Sequence, residues 1–254
     1  MRPMAQFTPE FLVDGQHVYG FGAAPMAEQR PGFAPPRTTL PILRMSLLTR
    51  TTDTIARFLP KQPNKLKVRI PNNSMGVVAH EKLTHDIAEF IASDTWFVYR
   101  DGTVGIVRGA DYHIDTYGPS DERAKLEPIP YPKVKITDGE KKRSLEQFKR
   151  DQVDEVSPGY AMQVSEGWPW PEAHPPFRHD VRPIVDDSDR VWLNVRCAST
   201  DKAECYDVIN RQGQRVMRLR LPERTSLLAV SKDHVYTSFA EKADKAVLQR
   251  HPLN

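Results

Sequence analysis

The chain has 254 residues, 39% hydrophobic and 27% charged, with a mean hydropathy of −0.56, enough apolar material for one sizeable all-β core or two smaller ones. Its formal charge is only +3, and its 36 basic residues form no stripe interleaved with aromatics, which argues against a nucleic-acid partner. No apolar run approaches the ~18 residues of a membrane-spanning helix, and 22 prolines against 13 glycines speak for stiff connections rather than long helices.

The N-terminus, MRPMAQFTPEFLVDG, lacks the apolar h-region of about 7–15 residues and the cleavage site of an export signal. It begins almost directly with a strand-like run, as though cut in mid-structure. A turn at Asp14-Gly15 leads into HVYGFG, then a long Pro/Gly-rich excursion (23–39), ILRMSL, the polar turn LTRTTD and TIARFLP. AHEKLTHDIAEFIA (79–92) places Leu83, Ile87 and Ile91 at helical spacing and predicts a short helix. Next comes a unit with a turn at Asp101-Gly102, strands over 103–108 and 112–117, a turn at Gly118-Pro119 and stops at Pro128 and Pro130.

ITDGEKKRSLEQFKRDQVDEV (136–156) carries a Thr137…Glu140 capping box, with Leu145, Phe148 and Val156 near helical spacing. Its charged remainder predicts an exposed insertion helix, followed by a Pro- and Trp-rich connector over 157–176. The clearest unit is VWLNVRCASTDKAECYDVINRQGQRVMRLRLP (191–222). Val191, Leu193, Val195 and Cys197 share one strand face; Trp192, Asn194 and Arg196 share the other. A strand from Cys205 to Ile209, a tight turn at Asn210-Arg211-Gln212-Gly213 and the run Val216 to Leu221 follow, and Pro222 ends it. The segment 231–253 repeats the pattern in its shortest form. Val191 and Val235 lie 44 residues apart, inside the roughly 40–50-residue period of propeller blades.

The expected fold is therefore an all-β propeller of four-stranded antiparallel blades in one domain, 1–254. About four blades are present (10–60, 76–131, 177–222 and 223–254), with an insertion and connector over 132–176. A β-sandwich is the alternative, but sandwich strands recur faster, about every 8–12 residues.

DGTVGIVRGADYHIDTYGPSDE with PIPYPKVKIT, then WPEAHPPF, SDRVWLNV, YDVINRQGQRVMRLRLP and VYTSF…VLQRHPL occur in that order. With these blocks the chain resembles a bacterial family of six-bladed β-propellers, distantly related to the NHL and TolB-like propellers. The resemblance implies an exported protein, periplasmic, extracellular or lipoprotein-anchored, serving as a binding or scaffold module. Two departures stand out: such proteins are longer and carry a signal that this sequence, as written, lacks, which leaves the cytoplasm open. The expectation is that N-terminal blades are absent and that the arc associates through an open blade edge.

Cys197 and Cys205 flank a seven-residue gap between adjacent strands, where either a cross-strand disulfide or two reduced thiols fits; the resemblance to exported proteins favours the disulfide. Trp168, Trp170, Tyr112 and Tyr131, with Trp192, are candidates to line a sugar- or peptide-binding surface, though such rings more often pack between blades. No metal site is expected. His80 and His85 are five apart, so a helix would turn them about 140° away from each other. Asp186-Asp187-Ser188-Asp189 lacks the Gly and distant Glu of a calcium loop and reads as a solvated turn. No nucleophile elbow, phosphate loop or dinucleotide fingerprint is present.

These readings lead to a non-catalytic binding or scaffold module, without cofactor, for a protein, peptide or glycan. The alternative is a propeller hydrolase or lactonase holding a divalent cation, calcium, in its channel.

Overall fold

The computed structural model describes residues 7–13, 15–22, 39–60, 64–72, 76–84, 90–144, 146, 163–164, 170–178, 180–197, 203–242 and 245–253. The chain divides into two compact units: Met1–Pro60, Ser93–Pro132 and Pro176–Asn254 form the first, and Lys61–Ala92 with Lys133–Pro175 the second.

The first unit holds four antiparallel sheets, each an up-and-down run of successive strands. Sheet 1 contains β1 (Phe7–Val13), β2 (His17–Gly22), β3 (Leu40–Ser46) and β4 (Thr52–Phe58). In the second unit, β5 (Asn64–Asn72) and β6 (Gly76–Thr84) come next in chain order. Sheet 2 contains β7 (Thr95–Val98), β8 (Val104–Arg108), β9 (His113–Tyr117) and β10 (Arg123–Lys125). After β11 (Gln163–Val164) of the second unit, sheet 3 contains β12 (Ile184–Val185), β13 (Val191–Val195), β14 (Glu204–Ile209) and β15 (Arg215–Leu221). Sheet 4 has three strands, β16 (Thr225–Val230), β17 (His234–Lys242) and β18 (Lys245–Pro252).

Alternation along the strands decides how the sheets stack. On β7 and the residue after it, Trp96 and Val98 point one way and Phe97 and Tyr99 the other, and all four are buried. Trp96 and Val98, with Val104 and Ile106, pack against Tyr19, Ile42, Ala56 and Phe58 of sheet 1. Phe97 and Tyr99, with Val107 and Ile114, pack against Val191, Leu193, Val195 and Ile209 of sheet 3. Sheet 3 repeats the device: its Trp192, Tyr206 and Val208 meet Leu227 and Val235 of sheet 4. Sheets 2 and 3 are thus buried on both faces, one neighbour on each side. That is the stacking of propeller blades, and it rules out the sandwich, whose two layers each keep one face toward solvent.

Gly105 shows how closely these layers fit. It sits across from Phe97 in the β7–β8 ladder, and a Cβ there would meet the fully buried Phe97 ring at 2.1 Å. Gly105→Ala is therefore expected to lower stability by about 1–3 kcal/mol. Urea unfolding measures this, and adding Phe97→Leu should recover part of the loss.

The second unit is a three-stranded sheet in the order β11-β5-β6, with one short helix, α1 (138–144). The helix starts at the expected capping box. The Thr137 N–H donates to Glu140 Oε2 at 2.8 Å, and the Glu140 N–H donates to Thr137 Oγ1 at 3.2 Å. Leu145, Phe148 and Val156 lie outside the described residues. Two expectations are corrected. Residues 79–84 belong to strand β6 rather than to a helix, because they pair with β5 along its length. Residues 76–84 are likewise no part of a blade reaching to 131: sheet 2 begins at Thr95.

Candidate functional site

In an up-and-down sheet the turn between the first two strands and the turn between the last two emerge at the same end. In the first unit this end of sheets 2, 3 and 4 gathers a set of charged side chains. Within the β7–β8 turn, Asp101 Oδ1 accepts the Thr103 N–H at 3.0 Å, and Gly102, at φ 83°, accepts a hydrogen bond from the Tyr19 hydroxyl at 3.2 Å. From the β14–β15 turn, Arg211 pairs with Asp101 and, at 3.0 Å, with Asp189 of the β12–β13 turn. Its guanidinium also lies 4.7 Å from the centre of the Tyr99 ring, a cation–π contact. Arg100 pairs with Asp187, whose Oδ2 accepts the Lys232 N–H of the β16–β17 turn at 2.9 Å. Four turns from three sheets are thereby laced together.

Asp186 holds this layer from beneath. It is only 1% exposed, and its carboxylate accepts from the Ser188 N–H (2.9 Å), the Arg190 N–H (3.0 Å), Arg190 Nε (2.7 Å) and Trp192 Nε1 (2.9 Å). Burial pushes its pKa up, but these donors outweigh burial and hold it below the usual carboxylate value. The same balance, against the Thr103 N–H and Arg211, lowers Asp101. Burial pushes the Tyr99 hydroxyl up to about 12, with Arg211 opposing. The Arg100, Asp101, Asp187 and Arg211 side chains remain 35–65% exposed. The arrangement can offer donors and acceptors of both signs to a ligand from a rigid base. Among its described residues it holds no hydroxyl or thiol paired with a histidine as a nucleophile would need.

The sequence-derived candidates do not assemble around this site. Tyr112 is fully buried, its ring 5.6 Å from that of Tyr131, and its hydroxyl donates to Asp207 at 3.0 Å. It is a core residue joining sheets 2 and 3, so it presents no stacking surface. Tyr131 is partly buried against the same core. Trp170 lies in the second unit, packed with Phe90 and Ile136, and Trp168 lies outside the described residues. Trp192 is buried between sheets 3 and 4. Asp186 to Asp189 do form a turn, exposed at Asp187 and Ser188 as expected, but Asp186 is buried as its anchor. His80 is on strand β6, while His85 falls outside the described residues.

Arg100 and Arg211 were not among the candidates. A usable signal existed, since Asp101-Gly102 and Asn210…Gly213 occupy turns at the same end of their blades, which brings the residues beside them together.

The Sγ atoms of Cys197 and Cys205 are bonded in the structure, with Cα atoms 5.5 Å apart. The bond ties together the two sides of the β13–β14 connection of sheet 3. Mass spectrometry of unreduced protein is expected to show two hydrogens fewer than the reduced chain and no alkylation. Cys197→Ser is expected to cost about 2–3 kcal/mol by loop-closure entropy.

No known protein family matches the chain, and no curated protein matches it. Among solved structures, an uncharacterized protein from Listeria monocytogenes EGD-e aligns over 99% of this chain and 83% of its own, with 10% sequence identity and a TM-score of 0.27. Neither fold nor function follows from a likeness this slight.

Proposed function

We propose that this chain is a non-catalytic propeller module of the bacterial cell envelope that recognises a protein, peptide or glycan through the turn end of sheets 2 to 4. The observation that carries the reading is the cluster of partly exposed Arg100, Asp101, Asp187 and Arg211, supplied by three turns and braced by Asp186 and Tyr99. Binding surfaces are commonly loops positioned by a rigid scaffold. The shielded carboxylates favour binding over catalysis, because partly buried Asp94 and buried Asp186 and Asp207 are each engaged by arginine, by backbone N–H groups or by both. An oxidised Cys197–Cys205 pair suits an extracytoplasmic compartment.

The test is binding to arrayed glycans and peptides by the full chain and by Arg100→Ala and Arg211→Ala. A bound class whose affinity falls about tenfold or more in both variants supports the reading; hot-spot arginines commonly reach that size. Binding to nothing, or binding indifferent to both substitutions, overturns it. A rise in melting temperature with calcium, accompanied by ester or lactone hydrolysis, would replace it with the hydrolase alternative.

A further inference from the structure

Every joint inside the first unit is built by one rule: a face of one sheet meets the opposite face of the next. Applied to sheets 1 and 4, the rule leaves one face of each unmatched by a joint of this kind. On sheet 1, Tyr19 and Ile42 face sheet 2. The opposite face carries Leu12, paired in register with Val18, which pairs with Met45; Leu12 is 65% exposed. On sheet 4, Leu227 and Val235 face sheet 3. The other side carries Tyr236 and Leu248, beside Leu228; Leu228 is 53% and Leu248 68% exposed, and β18 is exposed along its whole length. Among the described residues, no buried cluster joins sheet 4 to sheet 1.

We infer that these two faces are the halves of one further blade joint and that a second copy of the chain completes it, sheet 4 of each protomer packing on sheet 1 of the other. The occupant follows from continuity with the established stacking. Each copy carries both an apolar strip of the kind sheet 4 offers and one of the kind sheet 1 offers. A head-to-tail contact made twice closes a two-fold ring, so the exposed leucines on all four of these outer faces are covered at once. An isologous pairing of sheet 4 with sheet 4 would leave both Leu12 faces exposed.

Sedimentation velocity on the full chain over about 1–100 μM, a range bracketing affinities of ordinary homodimers, tests this. The expected species has twice the 29.0 kDa chain mass. Leu12→Asp and Leu248→Asp should each weaken the dimer about tenfold or more, the effect of replacing a buried leucine contact by a charge. Both positions are exposed in the protomer, so circular dichroism melts at concentrations where wild type and variants are all monomeric should agree, while at higher concentrations the wild type alone should gain melting temperature; Leu228→Asp is a second probe of the same face. An equimolar mixture of the two variants retains one intact joint and should associate more tightly than either variant alone. A wild-type monomer throughout the range overturns the inference. So does a dimer indifferent to Leu12→Asp, which would mean pairing through sheet 4 alone, or a mixture no tighter than its components.

Discussion

Asp186→Ala is expected to destabilise the first unit by about 3–5 kcal/mol, the range for removing one partner of a buried charged network. The carboxylate is 1% exposed and accepts four hydrogen bonds. Alanine would strand the indole N–H of Trp192, itself fully buried, along with two backbone N–H groups of the turn. Each buried donor left unmade costs about 1–3 kcal/mol, though Arg190, partly exposed, recovers water. Asp186→Asn keeps an acceptor and should lose roughly half as much. The pH dependence has a definite sign. Because the folded-state pKa lies below the ordinary 3.8, the contribution is complete above the unfolded-state value and disappears only as pH falls through the lower folded-state one. Urea midpoints should therefore drop for the wild type below about pH 4, while Asp186→Ala should show a shallower acid limb and a lower plateau at neutral pH.

The second large effect falls on Asp207. Its fully buried carboxylate receives Arg218 through Nε at 2.6 Å and Nη2 at 3.0 Å, and the Tyr112 hydroxyl at 3.0 Å, with Arg215 at 3.6 Å. The tyrosine reaches across from sheet 2, so the carboxylate serves as a polar rivet between two blades. Asp207→Ala should cost about 3 kcal/mol, the lower end of the buried-pair range, because Arg215 and Arg218 are each about one-third exposed and can turn to water. Tyr112→Phe should cost about 1.5 kcal/mol, one hydrogen bond to a charged acceptor. The double variant is expected to lose less than the sum by at least about 0.5 kcal/mol, since both substitutions break the same contact. Additive losses would show that the tyrosine acts only by filling space.

Sheets 3 and 4 were the most legible in the residues, for a local reason. The runs within 191–221 alternate on either side of a polar gap, turn at a glycine with φ 80° and stop at proline, and the strands fall close to where those signals place them. Val191 and Val235, 44 residues apart, lie on the second strand of successive sheets, which explains why the period was visible. The β5–β6 hairpin was not read. Leu83, Ile87 and Ile91 match a helical period, and what makes 79–84 a strand instead is pairing with residues 64–72, a non-local contact that a spacing within one segment cannot report; residues 85–89 lie outside the described ones. The candidate site escaped for a related reason: Arg100, Asp187 and Arg211 are far apart in sequence and meet only because turns of different blades share an end. The core position of Tyr112 was not legible because its surroundings, Asp207 and Phe177 among them, come from distant parts of the chain.

The sheet of the second unit has a consequence for biosynthesis. Strand β11 pairs Gln163 with Arg69, so one edge of β5 waits for a partner encoded roughly 90 residues downstream. At about 5–20 residues per second, the ribosome needs several seconds or more to deliver it, and all of sheet 2 is made in the interval. During that window the stretch of β5 that β11 later covers, Val68 and Arg69, offers unpaired amide and carbonyl groups to a neighbouring nascent chain, and slower translation between these two segments is expected to lower yield.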